Sequence, residues 1–233
     1  MKQKSILIVG DSWGKGEMGG NYVIAHPGVN LYLAELGYDV IPKAYCGGTN
    51  RLSLKRIEEH PTVDYIVFFF TDPTRDYQDF INPYWAKNKE EIEFRFPALS
   101  PFPRHLSYRE LWFERRKSIL DALTIYNDKI ILIGGNCRIE KFAKNMGFRH
   151  TIDWVDLIAP GNEFPEHWGE IRMISGHNEW IRRQTDQMWD EKEKYLETMA
   201  KYEAFWVSGW HPDRKGHKVI SEWIDKTIKQ INP

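Results

Sequence analysis

A serine follows the first apolar run of this sequence at a position where a nucleophile could stand. Ser12 lies three residues beyond the run Ser5–Val9, with Gly10 and Asp11 between them. An apolar run that ends at a glycine is typical of a buried strand in a parallel sheet. Reactive groups in such sheets lie just beyond the carboxyl ends of the strands. Glycine lets the backbone turn sharply there, so the hydroxyl of Ser12 can stand clear of the sheet.

A histidine near the far end of the chain could serve as the base that such a serine needs. A serine hydroxyl attacks a carbonyl when a neighbouring group accepts its proton, and donors must then hold the oxyanion. Trp210-His211-Pro212 precedes a stretch that predicts a last helix. Gly10-Asp11-Ser12, taken with this late His-Pro, resembles the SGNH (GDSL-type) hydrolases. The resemblance implies ester hydrolysis through an acyl-enzyme on Ser12, with His211 as base and then as acid.

The resemblance also implies three donors for the oxyanion: the N–H of Ser12, a glycine after the second strand and an asparagine after the third. Gly47 suits the glycine role, and Gly48 is the near alternative. After the third predicted strand stand Thr71 and Asp72, with no asparagine. An ionised aspartate cannot donate a hydrogen bond. Either Asp72 holds a proton, or Thr71 donates, or the role moves elsewhere.

The asparagine role has a second candidate further along the chain. Asn136, in Gly135-Asn136, matches the family pattern but follows the next predicted strand. We therefore predict Asp72 as the positional counterpart and Asn136 as a functional substitute. Asp11 of the Gly-Asp-Ser motif is counted with them among the binding residues.

The acid that usually supports the histidine is also replaced. The family places an aspartate three residues before the histidine, and here that position is Ser208. A serine can hold the imidazole tautomer but cannot stabilise an imidazolium by charge. The predicted catalytic set is therefore Ser12, His211 and Ser208. A backbone carbonyl, Asp153 or Asp156 are the alternatives for orienting the ring.

Apolar runs alternate with helical patterns along the chain, which predicts a parallel sheet with helices on both faces. The resulting class is an α/β, three-layer α/β/α sandwich with a mostly parallel, five-stranded, flavodoxin-like sheet, in a single domain over residues 1–233. The predicted strands are Ser5–Val9, Tyr38–Tyr45 (with Pro42 indicating an edge or a bend), Val63–Phe70, Lys129–Ile133 and one within His150–Ile158. The predicted helices are Val29–Leu36, one capped by Thr49 or Asn50 and running through Glu59, Tyr108–Tyr126, Ile139–Met146, Thr185–Phe205, and a last one capped by Asp213 and ending near Ile231.

Residues 73–105 form an insertion after the third strand that is rich in proline and aromatic residues. A long irregular segment inside a compact domain is often a lid or a binding loop. A small packed insertion explains the same composition equally well. Since sugar faces stack on aromatic rings, the first interpretation favours a carbohydrate ester as substrate.

Other kinds of site fit the sequence less well. Gly14–Gly19 satisfies G-x-G-x-x-G, but it starts too far beyond the strand and does not open a helix, which disfavours a dinucleotide site. Gly10–Gly14 satisfies G-x-S-x-G, but only one strand precedes Ser12, which disfavours the α/β-hydrolase elbow. His211, Asp213 and His217 do not share a ligand face. We therefore expect no metal and no cofactor.

The charge balance excludes some partners. Lysines and arginines nearly cancel the acids, giving a formal net charge of −1. No electrostatic footprint for nucleic acid or for an anionic membrane is present.

The run behind Met1–Lys4 is too short for a signal peptide, which predicts a cytoplasmic protein or a virion component. The expected partner is a small-molecule or glycan ester. The alternative hypothesis is a catalytically weakened SGNH-like domain that binds a ligand or assembles with other proteins.

Overall fold

Five parallel strands form the central sheet of the protein. The computed structural model describes residues 3–18, 24–76, 108–135, 138–158, 206–207 and 211–231. In chain order the strands are β1 (Ser5–Val9), β2 (Glu17–Met18), β3 (Ile24–His26), β4 (Asp39–Pro42), β5 (Tyr65–Phe70), β6 (Ile130–Gly134), β7 (Thr151–Asp153), β8 (Trp206–Val207) and β9 (His211–Pro212). The sheet has the order β4-β1-β5-β6-β7, and β2–β3 and β8–β9 form antiparallel pairs.

Seven α-helices occur in the described residues. They are α1 (Ser12–Lys15), α2 (Val29–Glu35), α3 (Asn50–Glu58), α4 (Tyr108–Leu123), α5 (Glu140–Asn145), α6 (Trp154–Ile158) and α7 (Arg214–Ile231). Short 3₁₀ turns span Pro73–Asp76 and Thr124–Tyr126. Within the described part of the chain, no helix is both long and apolar enough to cross a membrane.

Helices cover both faces of the sheet. On one face, Phe68 and Phe70 of β5 belong to the same core as Leu120 of α4. On the other face, Phe69 shares a core with Ile224 of α7. Successive side chains of a strand point to opposite faces, so a strand that is apolar at every position feeds both cores. The predicted three-layer α/β/α fold with a five-stranded sheet is confirmed, and the described sheet is parallel throughout.

Strand β1 lies between β4 and β5, near the middle of the sheet. Val9 pairs with Phe68 in parallel register, so β1 and β5 end at the same edge. The chain leaves β1 toward α2 on one face and returns to β5 through α3 on the other, as the two cores containing Leu33 and Ile57 show. Side chains just beyond these two strand ends therefore meet at a topological switch point, where open α/β sheets bind ligands.

Most predicted elements are present, with shifted ends. The second sheet strand is shorter than predicted and lies at the edge, which is one of the two explanations that Pro42 allowed. Thr49 caps α3 by accepting a hydrogen bond from the Leu52 N–H at 3.1 Å. The glycine content of the segment from Gly14 to Gly20 predicts a loop, and this is wrong for the described part of the segment, because α1 is followed there by β2, which pairs with β3. The predicted helix Thr185–Phe205, and the insertion beyond Asp76, lie outside the described residues.

Candidate active site

A tight turn after β1 sets the position of Ser12. Gly10 adopts φ +132°, and a Cβ there would lie 2.5 Å from the carbonyl oxygen of Phe69. Only glycine combines that conformation with such a close approach to the neighbouring strand. Asp11 then caps α1 by accepting a hydrogen bond from the Trp13 N–H at 3.0 Å. Ser12 is the first residue of α1 and is 7% exposed.

The structure brings Ser12 and His211 together. The Oγ of Ser12 lies 2.6 Å from Nε2 of His211, and the histidine is 9% exposed. His211 lies in β9, directly before α7, where Asp213 accepts a hydrogen bond from the Gly216 N–H at 2.7 Å. Asp213 thus caps the helix, as predicted. A hydroxyl at hydrogen-bonding distance from a neutral imidazole nitrogen has the geometry of a nucleophile and its base.

The carboxylate of Asp11 is buried and fully engaged below this turn. Its Oδ2 accepts a hydrogen bond from the Thr71 hydroxyl at 2.7 Å and lies 3.2 Å from Nη1 of Arg75. Asp11 is 1% exposed and Arg75 is 3% exposed. The contacts join the end of β1 to the chain that follows β5. Asp11 was predicted to be a binding residue. In the structure its carboxylate stabilises the turn that carries Ser12.

Thr71 is held by both its side chain and its backbone. The Asn50 side-chain amide donates to the Thr71 carbonyl at 2.8 Å, and its carbonyl accepts from the Thr71 N–H at 3.0 Å. Because the Thr71 hydroxyl donates its proton to Asp11, it is not directed to an oxyanion. The alternative in which Thr71 supplies the missing donor is therefore disfavoured. The sequence pointed to Asn50 only as a helix cap.

The turn Cys46–Thr49 supplies one candidate oxyanion donor. Gly47 has φ +68°, and the Gly48 N–H donates to the Tyr45 carbonyl at 2.8 Å. A Cβ on Gly48 would lie 3.0 Å from the Gly10 carbonyl oxygen, which places this turn against the turn that carries Ser12. Because the Gly48 N–H is used within its own turn, Gly47 is the better of the two predicted donors.

Of the remaining predicted site residues, only Asp72 lies in the described part of the chain. Asp72 is fully buried, and its carbonyl accepts a hydrogen bond from the Arg75 N–H at 3.2 Å. Gly135 packs against Trp13, since a Cβ there would lie 3.6 Å from the indole ring. The chain therefore reaches the region of Ser12 just before Asn136. Asn136 itself and Ser208 lie outside the described residues, so their predicted roles stay predictions.

The two alternative acids are paired with Arg138. Its guanidinium lies 3.1 Å from Asp153 and 2.6 Å from Asp156. Asp153 also accepts hydrogen bonds from the N–H groups of Ile139 and Glu140, at the start of α5. Burial raises the pKa of Asp153 to about 6, and these hydrogen bonds oppose the rise. The described contacts give both carboxylates a structural partner in place of the histidine.

Aromatic rings form the base of the site. Trp13 and Trp154 meet edge to face with ring centroids 4.8 Å apart, and both are fully buried. The Trp13 ring also lies 6.3 Å from the ring of His211. These rings keep bulk water away from one side of the Ser12–His211 pair, and a low local dielectric strengthens the polar contacts there.

A second histidine lies behind the site. His217, in the first turn of α7, is fully buried and packs on Gly28, where a Cβ would come within 2.7 Å of the ring. No described group makes a hydrogen bond of good geometry with either ring nitrogen, although the Gly16 backbone lies near them. Burial lowers the pKa of His217 to about 4, and the nearby His211 acts in the same direction. His217 is therefore neutral at physiological pH.

Comparisons with known proteins give structural likenesses only. No protein-family model matches the chain, and no curated protein matches it. Similar solved structures include a catalytic mutant of an acetylxylan esterase from Geobacillus stearothermophilus, with 15% identity, coverage of 99% of this chain and 94% of that one, and a TM-score of 0.43. An α/β hydrolase from the metagenome of Lake Arreo shows 16% identity, coverage of 99% and 97%, and a TM-score of 0.43.

A member of the lipolytic protein G-D-S-L family from Veillonella parvula shows 11% identity, coverage of 97% of this chain and 99% of that chain, and a TM-score of 0.41. The G-D-S-L family is the one that the sequence motifs of this chain resemble. At these identities and TM-scores the likeness does not assign an activity, so the function has to be argued from the site of this chain.

Proposed function

We propose that this protein is a serine hydrolase of the SGNH type that cleaves a carboxylic ester through an acyl-enzyme on Ser12. The observation that carries the proposal is the 2.6 Å contact between the Ser12 hydroxyl and Nε2 of His211 at the carboxyl end of a central strand. The two residues are 199 positions apart in the chain. A buried serine and histidine in this geometry are what nucleophilic catalysis requires.

The proposed reaction has two halves. In the first, His211 accepts the proton of Ser12 as its Oγ bonds to the ester carbonyl carbon. The tetrahedral intermediate collapses as the bond to the alcohol oxygen breaks, and His211 gives the alcohol its proton. In the second half, His211 activates a water that attacks the acyl-enzyme, releasing the acid and restoring the serine. The N–H groups of Ser12 and Gly47 are the proposed donors to the oxyanion.

Ser208 is the proposed support for the histidine. A hydroxyl at that position can fix the tautomer of His211, but it adds no negative charge to stabilise the imidazolium. In a serine protease, replacing the acid of the triad lowers turnover by about 10⁴. We therefore expect slower turnover than a complete triad would give, with the reaction otherwise unchanged.

The burial of the site supports a small acyl group. Ser12 and His211 expose less than a tenth of their surface, so a bulky acyl chain would have little room beside them. We propose an acetyl ester as the substrate. The aromatic residues of the segment 73–105 support a carbohydrate as the alcohol part, because sugar rings stack on aromatic faces.

A fluorophosphonate probe tests the proposal directly. Such probes form a covalent bond only with an activated serine, so mass spectrometry should find the label on Ser12. Ser12→Ala should abolish both the labelling and the release of acetate from acetylated xylo-oligosaccharides or p-nitrophenyl acetate. Ser221→Ala is the matched control, because its buried hydroxyl only donates to the His217 carbonyl within α7. Wild-type hydrolysis no faster than that of Ser12→Ala would remove the proposed activity.

A weakened, ligand-binding domain is the second candidate function. The observations that favour it are the serine at position 208 and the aspartate at position 72, where the resembled family has an aspartate and an asparagine. A binding protein of this kind would leave Ser12 unlabelled and would still bind acetylated glycans in calorimetry. Labelling of Ser12 with turnover would exclude it.

A further inference from the structure

The contact between Arg75 and Asp11 is an ion pair with both side chains almost fully buried. The side chain of Arg75 is 4% exposed and that of Asp11 is 1% exposed. Burying two charges is costly unless each is paired and hydrogen-bonded. A pair that has only a structural purpose could be replaced by apolar residues of similar volume. Its position one residue from Ser12 points to a role in the reaction.

The carboxylate lies in the same helical turn as the nucleophile. One oxygen of Asp11 accepts the Trp13 N–H, which places the charge at the start of α1, where Ser12 also lies. The proposed oxyanion forms at the N–H of Ser12, so a negative charge next to it would oppose the transition state. Inside the protein such a repulsion is screened far less than in water. A positive charge that stays on Asp11 offsets it.

The turn after β5 carries Arg75 and, next to it, a second and separate ion pair. The turn Pro73–Asp76 begins after Thr71 and Asp72, which follow β5, and the Arg75 N–H donates to the Asp72 carbonyl. The next residue, Asp76, accepts two hydrogen bonds from Arg115 of α4 at 3.0 and 2.9 Å. The Asp76–Arg115 pair ties the end of this turn to α4, whereas the guanidinium of Arg75 is held by its own contact with Asp11.

We infer that Arg75 is a positioning residue for the reaction: it neutralises and holds the buried carboxylate of Asp11 beside Ser12, so that the oxyanion forms next to a balanced charge. The inference rests on the proposed function of Ser12. Arg75 then affects kcat through Asp11 and does not itself contact the substrate. The substrate KM should therefore be insensitive to the side chain.

Steady-state hydrolysis of p-nitrophenyl acetate by three variants tests the inference. Arg75→Gln should lower kcat at least about tenfold and change KM less than about twofold, because it leaves the carboxylate without its cation. Arg75→Lys should restore kcat to within about threefold of wild type, since an ammonium supplies the same charge. Adding Asp11→Asn to Arg75→Gln should raise kcat above that of Arg75→Gln alone, because the unbalanced charge is then gone.

Arg115→Gln is the matched control. It breaks a comparable ion pair with the buried Asp76 in the same turn, but this pair does not reach Asp11. Its kcat should stay within about twofold of wild type even if its melting temperature falls as far as that of Arg75→Gln. Equal losses of kcat in the two variants would overturn the inference, because they would reflect general loosening of the turn.

Two further outcomes decide the remaining cases. If Arg75→Gln does not fold, Arg75→Lys carries the test, and a folded lysine variant with kcat lowered more than about tenfold overturns the charge argument. A double variant slower than Arg75→Gln alone also overturns it. Failure of the proposed function is separate: the wild type would then neither hydrolyse the ester nor take up the fluorophosphonate at Ser12.

Discussion

Ser12 depends on a residue that has no side chain. Gly10 combines φ +132° with a backbone that nearly touches Phe69, so a methyl group there meets both conformational strain and a clash. We expect Gly10→Ala to lower the free energy of unfolding by about 3 kcal/mol or more. Because the turn must shift to relieve the clash, labelling of Ser12 by a fluorophosphonate should slow as well. Urea denaturation and labelling rates measure the two effects.

Gly37→Ala is the control for the strain alone. Gly37 also has a positive φ, +93°, but a Cβ there meets nothing within 4 Å. The cost should be only about 1 kcal/mol, with no change in labelling. A loss of stability at Gly10 no larger than at Gly37 would contradict the close approach to Phe69.

The residues of the site differ in how readily the sequence reveals them. Ser12 follows an unmistakable buried strand, and the late His-Pro precedes a clear helix, so pattern and resemblance together were enough to pair them. Arg75 and Asn50 carry no such signal. Their importance comes from burial and from contacts with residues about 60 and 20 positions away, which no local pattern encodes. Only the folded chain shows that a buried carboxylate needs a cation there.

At the scale of elements, α7 carries a buried histidine that makes stability depend on pH. The pKa of His217 is about 4 in the folded protein, against an ordinary value of 6.5. The unfolded chain therefore binds the extra proton between these values, and stability that is complete above pH 6.5 is lost as the pH falls toward 4. We expect the contribution lost between pH 7 and pH 5 to be about 2 kcal/mol. Urea denaturation at a series of pH values measures it.

His217→Gln isolates this contribution. The side chain of glutamine stays neutral, so the variant should lose about 2 kcal/mol less than the wild type between pH 7 and pH 5. Asp153 acts in the opposite direction, because its raised pKa makes stability fall as the pH rises toward 6. The difference between the two proteins cancels it. Curves for wild type and variant that run parallel over this range would contradict the low pKa of His217.

Elements with strong periodicity were predictable, and elements made by pairing were not. The strand β1 was predicted at its observed ends, because four consecutive apolar residues after Ser5 are bounded by charge and glycine. The two-residue strand β2 was missed, because Glu17–Met18 has no strand pattern and pairs only once β3 folds back on it. Helix ends moved by a few residues where 3₁₀ turns such as Thr124–Tyr126 replace the last turn.

For the whole molecule, one sheet supports both hydrophobic cores. Leu120 and Ile224 are both fully buried. They belong to different cores, which lie on opposite faces of the sheet. We expect Leu120→Ala and Ile224→Ala each to lower the free energy of unfolding by about 3 kcal/mol, and the double variant by about 6 kcal/mol. Circular dichroism and tryptophan fluorescence should report a single shared transition in urea.

Independent cores would behave differently. If the layers unfolded separately, each substitution would shift only one of two transitions, and the two signals would disagree. The alternation of strands and helices was sufficient to predict the layers and the parallel sheet. It did not specify which face each helix covers, because that depends on the direction of every crossover.

The site joins the two ends of the described chain. The ribosome adds Ser12 199 residues before it adds His211. Because chains fold from the amino-terminal side as they emerge from the ribosome, the first strands can assemble while the base is still missing. Under the proposed mechanism a nascent chain is therefore inert toward esters. Covalent labelling of Ser12 would distinguish chains that contain His211 from chains that end before it.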